Sequence, residues 1–168
     1  TEIHIPKSLK NAGISHGVSI SVGPFSFSGI QKVTFEEGTA SVLDNLFRYA
    51  EKLKDVELLS SMESIGECAF LSCKAMEGIT IPESVTSLGE SAFSGCSSLK
   101  EITVPSQVSV IRDYTFNGCT SLATANLPQT ITSIGKSAFY DCDALAEVDL
   151  PDELTSLAEY AFYDCDAL

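Results

Sequence analysis

Polar and apolar residues alternate in a short run that recurs along the chain, and a proline follows most copies of it. The clearest copy runs from Glu101 to Val104 (E-I-T-V) and is followed by Pro105. Alternation with a period of two is typical of a strand with one buried side, and proline ends such a strand because it has no N–H to donate to a neighbour. Val108 and Ile111 then indicate a second short extended or turn segment with inward-facing residues.

The rest of each copy has apolar residues at helical spacing. In one copy, Ala92, Phe93, Cys96 and Leu99 stand at positions i, i+1, i+4 and i+7, which would form one apolar face of a helix. We therefore predict a short helical turn here. Gly89 precedes it, and we interpret this glycine as the permissive residue that lets the backbone change direction.

The whole pattern repeats with a fixed period of 23 residues. The period is clearest in two sets of identical residues: Phe70, Phe93, Phe116, Phe139 and Phe162, and Cys73, Cys96, Cys119, Cys142 and Cys165. A period between 20 and 29 residues is typical of leucine-rich-repeat solenoids, in which neighbouring units bury one another's apolar sides. We predict an α/β repeat solenoid: a right-handed coil with a parallel β-sheet on one face, short helical turns on the other, and the phenylalanines stacked in its dry interior.

The repeat divides the chain into two regions. Residues 30–168 are predicted to form the array of 23-residue units, and residues 1–29 an irregular N-terminal coil. Pro6 and Glu36, which occupy equivalent positions, are 30 residues apart, so we place an insertion of seven residues between Asn11 and Ser28. Because the chain begins without methionine and stops within a unit, we expect a fragment truncated at the C-terminus. Its last coil would expose a strand edge through which two chains can meet end to end.

Composition narrows the range of partners. Apolar residues make up 44% of the chain, enough for a continuous core, and no run is long enough to cross a bilayer. Ten basic and 23 acidic residues give a net charge of −13. This argues against nucleic acid and anionic membranes as partners, because both require Lys and Arg to meet phosphates.

The cysteines are predicted to be packing residues. Five of them share one repeat position on the apolar face, where Ala50 also serves. Side chains in one column point the same way, which is poor geometry for a disulfide, so we predict free, buried thiols and no zinc site. Cys68 stands at a different position, where we expect partial exposure and leave a reactive role open.

Acidic residues crowd the last coils: Asp141, Asp143, Asp149, Asp152, Glu153, Asp164 and Asp166. Two interpretations remain open, a Ca²⁺ site between adjacent Y-D-C-D turns and a solvated acidic face, and the second is favoured because no known calcium-loop motif is present. His4 and His16 lie far from any Ser or Cys flanked by an acid, and we identify no catalytic arrangement, no obvious pocket and no cofactor motif.

The repeat L-x-x-I-x-[IVL]-P-x-x-[VIL]-x-x-[IL]-G-x-x-A-F-x-x-C resembles the BspA-type leucine-rich repeat, most closely from Met76 onward. Arg112 and Ala158 depart from it where glycine is usual. Proteins with such repeats occur at the surface of, or are secreted by, host-associated bacteria and some parasitic protozoa. The resemblance implies an extracellular or cell-surface location and adhesion to host or neighbouring-cell macromolecules. Its motif is structural, so it transfers no catalytic or binding residue.

Function is therefore sought on the outward strand positions, which form columns across the predicted sheet. The candidate ligand-binding residues are Thr80, Thr103, Asn126, Asp149, Glu101, Thr124 and Glu147. Our leading hypothesis is a non-catalytic interaction module that binds a protein or glycan macromolecule through these columns. A structural spacer is the alternative, and an enzyme would need a catalytic domain outside this sequence.

Overall fold

The computed structural model describes residues 1–9 and 23–168, and in them the chain forms a solenoid of short parallel strands. The strands are β1 (Glu2–Ile5), β2 (Lys32–Phe35), β3 (Ser41–Val42), β4 (Asp55–Val56), β5 (Ser64–Ile65), β6 (Ser87–Leu88), β7 (Glu101–Thr103), β8 (Val110–Ile111), β9 (Thr124–Asn126), β10 (Ser133–Ile134) and β11 (Ser156–Leu157). The predicted division at residue 29 stays a prediction, because most of the expected insertion, with His16, lies outside the described residues.

One group of strands follows the alternating runs of the sequence. Strands β1, β2 and β4 form one parallel sheet, and β7 and β9 form another. Their register places equivalent repeat positions side by side, as in the pair Ile102 and Ala125, both of which are buried. We call the outer side of these strands, together with the equivalent residues of the other coils, the strand face.

A second group of strands lies at the predicted second segment. Strands β3, β5 and β6 form one parallel sheet, and β8, β10 and β11 form another. Val108 and Ile111 are both buried, as the sequence predicts for inward-facing positions. Each coil therefore contributes two layers of apolar residues to a shared interior.

The interior contains the predicted phenylalanine column. Phe93, Phe116 and Phe139 are all fully buried, and their ring centroids are separated by 5.6 Å and 5.2 Å in stacked arrangements. Phe47 and Phe162 extend the column in both directions. The prediction that these rings stack in the dry centre is confirmed.

The predicted helical turns are wrong, and with them the α/β class. The described residues contain no helix, and so none that is long and apolar enough to cross a membrane. Two residues of each turn have the left-handed backbone conformation, for example Ser91 (φ 55°) and Gly95 (φ 71°). A right-handed helix cannot include them.

The hydrogen bonds show what replaces the helix. The N–H groups of Ser91 and Phe93 bond to Asp113 and Thr115 of the next coil, at 3.0 and 2.9 Å. The N–H of Ser94, in contrast, bonds within the turn, to Ser91. Alternate donors thus join one coil to the next, and this turn-side ladder makes the fold an all-β solenoid.

The predicted single sheet is also interrupted. Residues 78–81, which are equivalent to β7, pair with neither β4 nor β7. Glycine at position 78 weakens a strand because it has no side chain to pack and loses the most backbone entropy. The coils remain joined on the turn side, where the ladder is continuous from Asn45 to Tyr163.

Candidate functional site

The structure places every predicted ligand-binding residue at the surface. All seven are exposed. Glu101 pairs in register with Thr124, and Thr103 with Asn126. Glu147 continues the first column through an isolated bridge to Thr124. The structure thus aligns Glu101, Thr124 and Glu147 in one column and Thr103 and Asn126 in the other. The role of all seven residues in binding stays a prediction.

The side chains in these columns contact one another. Asn126 Nδ2 donates to Thr103 Oγ1 at 3.1 Å and to Glu101 Oε1 at 3.3 Å. Amide, hydroxyl and carboxylate are thus joined across two coils. Because the strands beneath fix their spacing, the columns present donors and acceptors at a regular interval.

Ion pairs cross the coils on the same face. Lys32 Nζ lies 2.8 Å from Glu57 Oε1 and 3.8 Å from Glu2 Oε1, and the hydrogen bond and charge of Glu57 raise the pKa of Lys32. Lys100 Nζ lies 2.6 Å from Glu77 Oε2, and this bond lowers the pKa of Glu77. Lys32 is partly exposed and the other groups are exposed, so each pair adds little to stability but holds the charges in defined positions.

A groove opens on the strand face where the sheet is interrupted. It has a volume of about 940 Å³, and its floor includes Gly78, Ile79 and Thr80. Among the described residues, no backbone–backbone hydrogen bond involves residues 78–81. The prediction that the array offers no obvious pocket is therefore wrong. Gly78, which replaces a charged or polar residue in its column, was the signal available.

The cysteines line the interior as free thiols. Cys119 Sγ donates to the carbonyl of Phe93 at 3.3 Å, and the other cysteines of this column repeat the contact. Burial raises the pKa of Cys96 to about 12. The expected exposure of Cys68 is wrong: it is only 8% exposed, and burial raises its pKa. A buried thiol that resists ionisation is a poor nucleophile.

The acidic residues of the last coils are close enough to influence one another. Partial burial, then the charges of Asp143 and Asp164, raise the pKa of Asp141. In residues 1–9 and 23–168, no group of three or more His, Cys, Asp or Glu side chains is arranged to hold a metal ion. His4, the described histidine, has its Nδ1 3.0 Å from Thr34 Oγ1, its neighbour across β1 and β2.

The last coil leaves apolar side chains uncovered. Leu157 is 53% exposed, whereas Ile134, its counterpart one coil earlier, is fully buried. Tyr160, Tyr163 and Leu168 are each more than half exposed. The expected end-to-end contact through this coil stays a prediction.

These features define the chain as a parallel-strand repeat solenoid with a polar strand face. Residues 40–168 match the family model "BspA type Leucine rich repeat region" in six copies. The chain belongs to the BspA-type leucine-rich-repeat family, as the sequence resemblance predicts. No curated protein sequence matches it.

Solved structures share the fold. A leucine-rich repeat protein from Bacteroides ovatus is 29% identical, with a TM-score of 0.83 over 99% of this chain and 44% of that one. The leucine-rich repeat protein of T. pallidum is 22% identical, with a TM-score of 0.62 over 86% of this chain and 77% of that one. A third, from Eubacterium ventriosum, is 21% identical, with a TM-score of 0.56 over 97% and 58%. The chain thus spans less than half of the B. ovatus structure.

Proposed function

We propose that the chain is a non-catalytic interaction module of a cell-surface or secreted protein, and that it binds a protein or glycan of a host or neighbouring cell through its strand face. The observation that carries this proposal is the hydrogen bonding between polar side chains of the two columns. Asn126 holds Glu101 and Thr103 together, and all three are exposed. Such an array can make many polar contacts at once.

The chemistry of the rest of the molecule supports binding without catalysis. Five of the six cysteine thiols are buried and that of Cys165 is partly buried, and burial raises the pKa of all six. The interior is filled by stacked rings and aliphatic side chains, so it supports the coil. The exterior is left to interact with a partner.

A surface location rests on family membership. The BspA-type repeat, matched over residues 40–168, is typical of surface and secreted proteins of host-associated bacteria. Adhesion follows from the same reasoning. Because the net charge is −13, the partner we expect is polar or basic.

The test measures binding of the fluorescently labelled chain to cultured epithelial cells by flow cytometry. The test variant replaces Thr103, Asn126 and Asp149 by Lys. The control replaces Glu63, Thr86 and Ser109 by Lys, which changes the charge equally in another exposed column of three successive coils. That column lies just before β5, β6 and β8.

Saturable binding that survives in the control but is lost in the strand-face variant is the expected result. Equal binding by both variants would contradict the strand face as the site. A wild-type chain that shows no saturable binding would contradict the adhesion function and favour the spacer alternative.

A further inference from the structure

The groove on the strand face contains an empty position between two carboxylates. Asp55, Gly78 and Glu101 occupy one repeat column in three successive coils, and all three line the groove. A Cβ built on Gly78 meets no atom within 4 Å, and its φ is not in the left-handed region. The column therefore has room for a side chain that the sequence does not supply.

The same column shows which chemical group fits between carboxylates. Lys32 stands in register between Glu2 and Asp55, and its ammonium group contacts Glu2 and Glu57. One coil after Asp55, the column reaches Gly78, where no such cation is present. The chain thus contains its own example of the occupant that the groove lacks.

The charges that line the groove favour a cation at this position. The ammonium groups of Lys32 and Lys100 are already bound to Glu57 and Glu77. Lys54 lies in the neighbouring column and lines the groove as well. Counting Lys32, Lys54 and Lys100 against Asp55, Glu57, Glu77, Glu83 and Glu101, the lining carries three positive and five negative charges, a net of −2.

A partner segment can reach the groove only from the solvent side of the strand face, because the neighbouring coils are too close for an extra strand to insert between them. An inserted β-strand would require neighbouring coils about 9–10 Å apart, twice the usual strand spacing. The Phe70, Phe93 and Phe116 rings are only 5.5 and 5.6 Å apart, and the N–H of Lys100 bonds to Glu77 at 3.1 Å. The partner therefore lies across the strand face, and one of its side chains enters the groove.

We propose that the groove at Gly78 is a subsite for a basic side chain of a partner polypeptide, in which Asp55 and Glu101 bind a lysine or arginine and Thr80 borders it. The free backbone groups of residues 78–81 bind the polar atoms of the same segment. This deepens the proposed function and rests on it, since it names the partner as a protein with an exposed basic residue.

The test follows peptide binding by two-dimensional ¹⁵N–¹H NMR of the whole chain. The probe is a capped heptapeptide of serine and threonine with one central arginine, and its matched control carries neutral citrulline instead. We expect the arginine peptide to shift the amide signals of Gly78, Ile79 and Thr80, and the citrulline peptide to bind roughly fivefold more weakly, as expected for the loss of two exposed ion pairs.

Two variants separate this subsite from general attraction to an acidic chain. Gly78→Lys places the chain's own ammonium group in the groove, whereas Gly29→Lys adds the same charge at another glycine with open space around it. Gly78→Lys should abolish the shifts and Gly29→Lys should keep them. Shifts spread over the acidic last coils, equal binding of citrulline, or unchanged binding by Gly78→Lys would overturn the proposal.

The two proposals can fail independently. If the arginine peptide does not bind the groove but the strand-face triple variant still loses cell binding, the subsite is wrong and the proposed function stands. If the peptide binds at Gly78 while the triple variant binds cells normally, the groove binds basic side chains but the candidate columns do not bind the cell-surface partner.

Discussion

Gly135 lies directly against the carboxylate of Asp113 in the preceding coil. Asp113 Oδ1 accepts the N–H of Lys136 at 2.8 Å, and a Cβ on Gly135 would collide with this oxygen and with the Asp113 backbone. The φ of Gly135 is not in the left-handed region, and neither is that of Gly89, its equivalent two coils earlier. The prediction that this glycine supplies backbone freedom is therefore wrong. The glycine is needed because two coils approach closely there.

Replacing Gly135 by Ala is therefore expected to destabilise the fold. The added methyl group meets backbone atoms that cannot move aside, and overpacking of this kind costs roughly 1–3 kcal/mol in free energy of unfolding. Gly78→Ala, which enters open space, should be neutral or slightly stabilising. Urea denaturation of both variants checks this, and equal losses of stability would show that the contact does not govern the role of Gly135.

The phenylalanine column should dominate the stability of the coils. Phe116 is fully buried and stacks on Phe93 and Phe139, so Phe116→Ala removes contacts with both neighbouring coils. We expect a loss of about 3–5 kcal/mol in free energy of unfolding. Phe27, which is 70% exposed, is the control, and its replacement by Ala should cost far less. Similar losses at the two positions would contradict the central role of the column.

The cysteines should react in an order set by burial. Burial raises the pKa of Cys96 to about 12 and also raises that of Cys119, so few of these thiols are ionised at pH 8. Cys165, which is only partly buried, should be alkylated by iodoacetamide first. Peptide mass spectrometry at several times gives the order, with the chain in urea as the control. Early alkylation of Cys96 or Cys119 in the folded chain would contradict the packing.

Asp141 should make the chain less stable as the pH rises. Partial burial and neighbouring carboxylates raise its pKa in the folded chain above the ordinary value of 3.8, so the fold binds this proton more tightly than the unfolded chain. The stabilisation of the fold by this bound proton is complete below pH 3.8, and it is lost as the pH rises through the raised pKa of Asp141. Asp141→Asn should thus raise the Tm at pH 7, and the gain should vanish near pH 3.

Asn also tolerates the left-handed backbone of Asp141, where φ is 59°. Asp152→Asn removes the same charge from an exposed carboxylate of the last coils and serves as the control. It should raise the Tm by less at pH 7. A gain at Asp141 that is the same at pH 3 and pH 7 would show that proton binding is not its cause.

Some of the fold follows directly from the sequence, because a strict period places identical residues on top of one another. The spacing of Phe93 and Phe116 predicts their stacking, and that of Thr103 and Asn126 predicts their pairing across strands. The turns were harder to predict. The apolar spacing from Ala92 to Leu99 fits a helix as well as a series of tight turns. Ser91 and Gly95 have the left-handed backbone that excludes the helix, and of these two only glycine favours it by residue type.

Gly78 indicates a weakened strand, but the groove itself could not be predicted from residue types alone. It depends on residues 78–81 failing to pair with the coils on either side, and the distance between coils is a property of the assembled stack. The candidate columns, in contrast, follow from strand alternation. Because Ile102 and Ala125 face inward, their neighbours Thr103 and Asn126 must face outward.

Photo-crosslinking on cells tests the central claim most directly. A benzophenone amino acid is placed at Thr103 on the strand face or at Thr86, which is also an exposed threonine and lies in the control column. Labelled chains are irradiated on epithelial cells at increasing concentrations, and covalent adducts are measured on gels. We expect a saturable adduct from Thr103 and none from Thr86. An adduct from Thr86 with none from Thr103 would contradict binding through the strand face.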